Sequence, residues 1–321
     1  MAITISGGVQ LSGPVTVEVG GSSPSPGGAS NFGYTAGGDA TPSSYVNRID
    51  KFSFSSDGNA TDVGDLLAGL TNLAGQSSST NGYTTGGITL PGVLYDIQKY
   101  PFSSDGNATD VGDLTVTRRQ AAGQSSSSDG YTSGGSPFLR VIDKFPFASD
   151  GNATDVGDLV FPPGGRSQLS GQNSADNGYT SGGTSNPTPN VSQIDKFPFA
   201  SGGNATDVGD LTRGVFQGAG QSSSDNGYFC GGRSGSTYDT NVIEKWPFAN
   251  DGNASDVGDL SVGRGQTAGQ SSTTSGYTSG GNAPTVPRYN IIDKFPFASD
   301  ANATDVGDLT QARSYSAGSQ Y

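Results

Sequence analysis

Histidine is absent from this 321-residue chain, and cysteine, methionine and tryptophan occur once each. Without histidine there is no Ser-His-Asp triad, no imidazole base and no histidine-ligated metal centre. The single cysteine, Cys230, excludes an intrachain disulfide and a multi-cysteine zinc site. Long apolar runs are also missing, so the sequence predicts no membrane-spanning helix. Residues 1–30 have neither a basic start nor a continuous apolar stretch, so no secretory signal is visible. Basic residues are scarce: 16 Lys and Arg stand against 29 Asp and Glu, a net charge of −13. A field of that sign repels phosphate backbones and argues against nucleic acid as a partner.

What the chain has in abundance is glycine, 52 residues, together with 17 prolines and only 31 % hydrophobic residues. That composition borders on low-complexity disorder. Thirteen Tyr and 15 Phe contradict it, because they recur on a fixed spacing. A Gly-Tyr-x-x-Gly-Gly box appears six times, with its tyrosine at Tyr34, Tyr83, Tyr131, Tyr179, Tyr228 and Tyr277. An Asn-Ala-(Thr/Ser)-Asp-Val-Gly-Asp-Leu box also appears six times, from Asn59, Asn107, Asn152, Asn204, Asn253 and Asn302, each preceded by a variant of Asp-Lys-Phe-Pro-Phe. Internal repetition of this period signals stacked structural units.

Within one copy, 140–147 alternates apolar and polar residues as a half-buried strand does, Pro146 suits a strand end, and Asp150-Gly151 marks a turn before 153–159. No window carries a helical apolar stripe. The expected fold is all-β: a six-bladed β-propeller of four-stranded blades. Residues 31–321 start at a tyrosine box that lacks an inner segment and finish with that segment, 313–321. The C-terminal strand is therefore expected to close the ring by pairing with the N-terminal blade, which removes an exposed edge. The aromatic boxes, including Trp246 in a phenylalanine position, are expected to fill the spaces between blades. Residues 1–30 lie outside the repeats, with alternating patterns at 2–6 and 15–19, and read as an attachment arm to a neighbouring protein.

Arg118, Ala121-Ala122, Gly130-Tyr131, Gly134-Gly135 and Ile142-Asp143-Lys144-Phe145 together resemble a kelch repeat. The resemblance covers residues 31–321 and implies a kelch-like propeller. It departs from the kelch pattern at the outer tryptophan, where Val156 stands, and at the arginine, which is Leu70 in one copy and displaced to Arg213 in another. The phrase from Asp143 to Leu159, and the opening Met-Ala-Ile-Thr-Ile-Ser-Gly-Gly-Val, are similar to repeat proteins encoded by marine bacteriophages. That similarity implies a virion component, in a tail fibre or on the particle surface.

Function is then expected where the copies differ, in 39–48, 88–95, 136–140, 184–193, 233–241 and 282–290, which join second to third strands at one end of the ring. Candidate binding residues there are Tyr45, Arg48, Tyr95, Phe138, Arg140, Arg233, Tyr238, Arg288 and Tyr289, since Tyr and Arg suit partner or sugar contacts. Asp57, Asn59 and Asp62 have the oxygen spacing of a calcium loop but lack the distal glutamate of an EF-hand, and one copy has Gly202 in place of the first aspartate; Asx turns at hairpin corners explain the same residues and are the preferred reading over calcium. No cofactor is otherwise expected. The six lysines hold one equivalent place per copy, so a periodic Lys–Asp contact within or between blades is expected. Cys230 lacks a base partner and reads as a small buried residue. The expected function is non-enzymatic: a virion structural protein that mediates assembly or recognises a host-surface glycan or receptor. The alternative is a bacterial extracellular or surface-layer propeller.

Overall fold

The computed structural model describes residues 31–40, 44–90, 92–160, 164–235 and 240–321. The proposed arm, residues 1–30, and Tyr238 lie outside this set. The described residues are all-β, with no helix. Six four-stranded antiparallel sheets follow one another along the chain. In the third copy the strands are Ala122–Ser125, Asp129–Ser133, Val141–Pro146 and Thr154–Asp158, each hydrogen-bonded to the next in chain order.

The first sheet is assembled differently. Its inner strand is Ala317–Gln320, paired antiparallel to Phe32–Ala36 with Tyr34 opposite Ser319. A seventh, three-stranded sheet of Asp39–Ala40, Ser44–Tyr45 and Arg313–Ser314 lies beside it. The repeat pattern does not foretell it. In the other copies the same contact is a single bridge, such as Arg119 with Ser136 and Ser167 with Thr184.

The inner strands, four of which read Ala-Gly-Gln-Ser and the others Ser-Gly-Gln-Asn and Ala-Gly-Ser-Gln, share a glycine at their second residue because all six converge. They touch in cyclic order, the strand Ala317–Gln320 lying against both Ala268–Ser271 and Ala74–Ser77. At Gly75, Gly123, Gly171, Gly220, Gly269 and Gly318 an added Cβ would come within 2.1 to 2.2 Å of the preceding copy's glycine carbonyl oxygen. Only glycine permits that approach. Gln76, Gln124, Gln172, Gln221 and Gln270 each donate from Nε2 to the carbonyl of the next copy's box tyrosine, the last reaching Tyr34. The first sheet has Ser319 instead, and Tyr100, which replaces a phenylalanine, places its hydroxyl 2.5 Å from the Ser319 Oγ.

Between sheets the aromatic boxes interlock. Tyr131 stacks on Phe199 of the next copy at 4.7 Å and Tyr277 on Phe54 at 4.4 Å, and their hydroxyls donate to the carbonyls of those same residues. Burying each such ring contributes about 1.5–3 kcal/mol. Trp246 is 1 % exposed and packs with Tyr179 in the same kind of cluster.

The outer strands repeat the pattern at the perimeter. Asn107 Oδ1 accepts the Asp65 amide, Asn152 that of Asp113, and so on around to Asn59, which accepts the Asp308 amide. A periodic Lys–Asp contact is present and runs between copies, but the acid is not one of the Asp-Val-Gly-Asp box, where the abundance of acids led it to be expected. Its acid is the aspartate before the Asn-Ala box: Lys51 meets Asp105 at 2.9 Å, Lys196 meets Asp251 at 2.6 Å and Lys294 meets Asp57 at 2.9 Å. Lys144 faces the copy with Gly202 in that place and turns to Asp129 of its own copy, at 3.2 Å.

Candidate functional site

Strand direction gathers two sets of connections at one end of the molecule. The second-to-third-strand loops and the outer-to-inner connections both lie there. All ten arginines are in these segments or, for Arg48, at the first residue beyond.

Four of them are structural. Arg118, Arg166, Arg264 and Arg313 have fully buried side chains and pair with Asp143, Asp195, Asp293 and Asp50 at 2.7 to 3.0 Å. Each of these aspartates sits at a register shift between the third and outer strands. Each also accepts an amide from the preceding copy, as Asp143 does from Thr115. Burial pulls the Arg118, Arg166 and Arg313 guanidinium pKa values down and pushes Asp195 up, the facing opposite charge resisting in each case. In the second copy Leu70 and Gln98 replace the pair, and Gln98 Oε1 accepts the Leu67 amide at 3.0 Å. In the fifth, Val215 takes the arginine position and Glu244 binds Arg213 at 3.5 Å.

Two residues after each of these positions the backbones of all six copies meet. Asn72, Gln120, Gln168, Gln217, Gln266 and Tyr315 all have left-handed backbones, with φ between 57° and 62°. Their amides and carbonyls form one continuous circle: Gln120 donates to Asn72, Gln168 to Gln120, Gln217 to Gln168, Gln266 to Gln217, Tyr315 to Gln266 and Asn72 to Tyr315, at 2.6 to 3.0 Å. The six side chains surround a cavity of about 70 Å³ at the axial mouth, lined also by Leu73, Ala121 and Leu169. No charged residue lines it. Gln266 Nε2 donates to Gln217 Oε1 at 3.2 Å, and Gln217 Nε2 donates to the Tyr315 hydroxyl at 3.1 Å. Asn72 Oδ1, Gln168 Oε1 and Gln266 Oε1 are buried and accept from no donor among the described residues. Burial raises the Tyr315 pKa, with Arg233 and Arg288 pulling it down and Asp39 pushing it up.

This ring was not singled out as a candidate in the sequence. Its signal is present, since one carboxamide or tyrosine recurs two residues after each arginine position. The box residues carry the visible repetition and mask it.

The predicted loop residues divide into groups. Arg48 pairs with Asp62 of the outer strand at 2.9 Å, and Arg140 Nε donates to the Leu159 carbonyl at 3.0 Å, so both brace the perimeter. Arg233 reaches Asn282 Oδ1 at 3.0 Å and Arg288 binds Asp39 at 2.6 Å, linking neighbouring loops at the mouth. Tyr45 lines a cavity of about 540 Å³ with Asp39, Gly69, Thr89 and Leu90. Tyr95 and Phe138 are 45 % and 38 % exposed, while Tyr289 is half-buried. Among the described residues, Leu67 and Leu90 are the most exposed large apolar side chains, at 57 % and 85 %, and neither was among the predicted residues.

Asp57, Asn59 and Asp62 are each engaged elsewhere, on Lys294, the Asp308 amide and Arg48 respectively. The three residues bind in three different directions rather than about one point. Cys230 is fully buried, and burial pushes its thiol pKa up, away from the thiolate. No helix among the described residues is long and apolar enough to cross a membrane. A scan against protein-family models finds no match, and a search of the curated proteins finds no relative.

Proposed function

We propose that residues 31–321 are a six-bladed, kelch-like β-propeller closed by its last strand, acting as a non-enzymatic component of a bacteriophage virion. Residues 1–30 attach it to a neighbouring particle protein, and the end that bears the arginines and variable loops faces outward to a host-surface glycan or receptor. The six sheets in cyclic contact support the ring. One observation carries the binding face. Among the described residues, five of the six exposed large apolar side chains, Leu67, Leu90, Val93, Tyr95 and Phe138, lie at the loop-bearing end, and four of these belong to the connections of the first and second copies. Every periodic aromatic is consumed between sheets, so these side chains owe nothing to the repeat. A rigid scaffold with its non-repeating apolar residues on one sector is the arrangement of a contact surface. The buried thiol and the ion-paired scaffold acids support binding over catalysis.

Mass spectrometry of purified particles tests the assignment: the chain is expected among the virion proteins, and its absence refutes the virion reading. A labelled chain is expected to bind host cells, and replacing 88–95 by a Gly-Ser segment of equal length should abolish that binding while the melting temperature holds. Binding unaffected by the replacement would remove the face from consideration.

A further inference from the structure

Among the described residues, the small three-stranded sheet belongs to the first copy alone, and two of its strands border the cavity of about 540 Å³ between the first and second copies. Its register sets Asp39 directly opposite Tyr45. Opposed residues of an antiparallel pair project to the same face, with Cβ atoms about 5 Å apart. Arg288 fixes Asp39 in place: Nε donates to its carbonyl at 2.8 Å and Nη2 to its Oδ2 at 2.6 Å. That ion pair is neutral as a unit and leaves Asp39 Oδ1 bonded to no other described residue. Gly69 brings the chain against the Tyr45 carbonyl, where an added Cβ would come within 2.3 Å of the oxygen. The second copy supplies Thr89 and Leu90 on a short, tied turn: the Thr89 amide donates to the Gly92 carbonyl at 3.0 Å, and Ile88 bridges both Thr71 and Val93. The hydroxyls of Tyr45 and Thr89 are also bonded to no other described residue.

The volume falls within the range of about 300–1,000 Å³ usual for small-molecule sites. Its lining offers a carboxylate acceptor, two hydroxyls that both donate and accept, an aromatic ring and an aliphatic side chain. A ligand that answers all of these is a ring bearing several hydroxyls on one side and an apolar C–H face on the other. We propose that this cavity binds one neutral pyranose unit of a glycan, whose hydroxyls donate to Asp39 and exchange hydrogen bonds with Tyr45 and Thr89 while its C–H face lies against the Tyr45 ring and Leu90. Charge selects against other classes. A phosphate or carboxylate on the sugar meets the Asp39 carboxylate, and Arg288 is already engaged by it; an ammonium gains little from an acid that Arg288 neutralises. The site occurs once per chain, because the sheet that holds Asp39 beside Tyr45 does. The inference rests on the reading of the loop-bearing end as a contact surface and names the ligand class and the residues that receive it.

Saturation-transfer NMR on the full chain tests this with the methyl pyranosides of glucose, galactose, mannose and N-acetylglucosamine, and with glucose 6-phosphate and glucosamine as charged probes. Saturable, millimolar binding of at least one neutral pyranoside is expected, tighter than that of either charged probe. Tyr45→Ala should weaken it at least tenfold. Thr89→Val exchanges a hydroxyl for a methyl at a partly exposed turn and should weaken binding several-fold with the melting temperature unchanged. The second variant keeps the test intact if the first disturbs the small sheet. No saturable binding of any neutral pyranoside, tighter binding of the charged sugars, or an affinity unchanged in both variants overturns the site. Host-cell attachment that persists while no pyranoside binds overturns the cavity and leaves the contact surface standing. Pyranoside binding lost in both variants, without attachment to host cells, supports the cavity and overturns the host-recognition reading.

Discussion

The buried Arg118–Asp143 pair has a neutral counterpart inside the same chain, Leu70 with Gln98. Removing one member of a buried ion pair strands the other, at a cost of about 3–5 kcal/mol, whereas replacing both is often close to neutral. Arg118→Leu alone should therefore destabilise by about that amount, and Arg118→Leu with Asp143→Gln should recover more than half of it. Denaturant unfolding of the single and double variants checks this; equal loss in both would show that the carbonyls bonded by Arg118 matter more than the charge. The tyrosines set a pH limit. Burial pushes Tyr179 and Tyr228 up to about 12, against about 10 for an unfolded tyrosine. Their folded-state pKa values are raised, so their contribution is whole below the unfolded value and is lost as pH rises from there through the folded one. Tyrosinate absorbance should appear together with loss of the β-sheet circular dichroism across that window. Ionisation near pH 10 with the fold intact would contradict it. The tyrosines and double glycines were legible as scaffold because they repeat in every copy. The Arg–Asp pairs were not, because their members lie from 25 residues apart, for Arg118 and Asp143, to opposite ends of the repeats, for Arg313 and Asp50, and are brought together only by the fold.

Strand composition follows from position in the sheet. Inner strands share their glycine because their neighbours approach at glycine contact, and second and third strands carry the Tyr and Phe that fill the space between sheets. Gly171→Ala would bring a Cβ to 2.1 Å from the Gly123 oxygen, between two strands that cannot separate. It should cost about 3 kcal/mol or more, at the upper end of single substitutions. Gly151→Ala, at a turn with nothing within 4 Å, should change stability by no more than about 1 kcal/mol. Thermal melts of the two variants give the comparison, and similar losses would mean that the inner strands have room to give. Four strands per copy could be read from alternation and turn dipeptides. The extra small sheet beside the first copy could not, because it depends on where 313–314 lies once the last strand has paired.

At the scale of the whole molecule, neighbouring sheets are held together by recurring contacts: the backbone circle, the aromatic stack, the Asn–amide bond at the perimeter and, at five of the six junctions, the glutamine bond, which Ser319 and Tyr100 replace at the sixth. The first sheet receives its inner strand from the far end of the chain, with the Asn31 amide bonded to the Tyr321 carbonyl. Deleting residues 317–321 removes that strand and breaks both of its neighbouring contacts. The truncated chain is expected to lose its single cooperative melting transition, and a peptide of residues 313–321 added in trans should restore it. Melting identical to that of the full chain would show that the pairing contributes nothing. The acids are mostly scaffold, set at the perimeter and in ion pairs, so the net charge describes the outer strands more than any partner.

The sequence by itself determined four strands per copy, the six-fold repetition and the interlocking of aromatics, because periodic residues must occupy equivalent environments. It also located the segments that vary. Only the tertiary structure decided which loop residues are free to make contacts. Arg48 and Arg140 are drawn into the perimeter by partners that chain order does not reveal. It alone brought Asn72, Gln120, Gln168, Gln217, Gln266 and Tyr315 into one circle. Residues so far apart in sequence become neighbours through the cyclic contacts of the six inner strands, and the backbone circle they form belongs to no single copy.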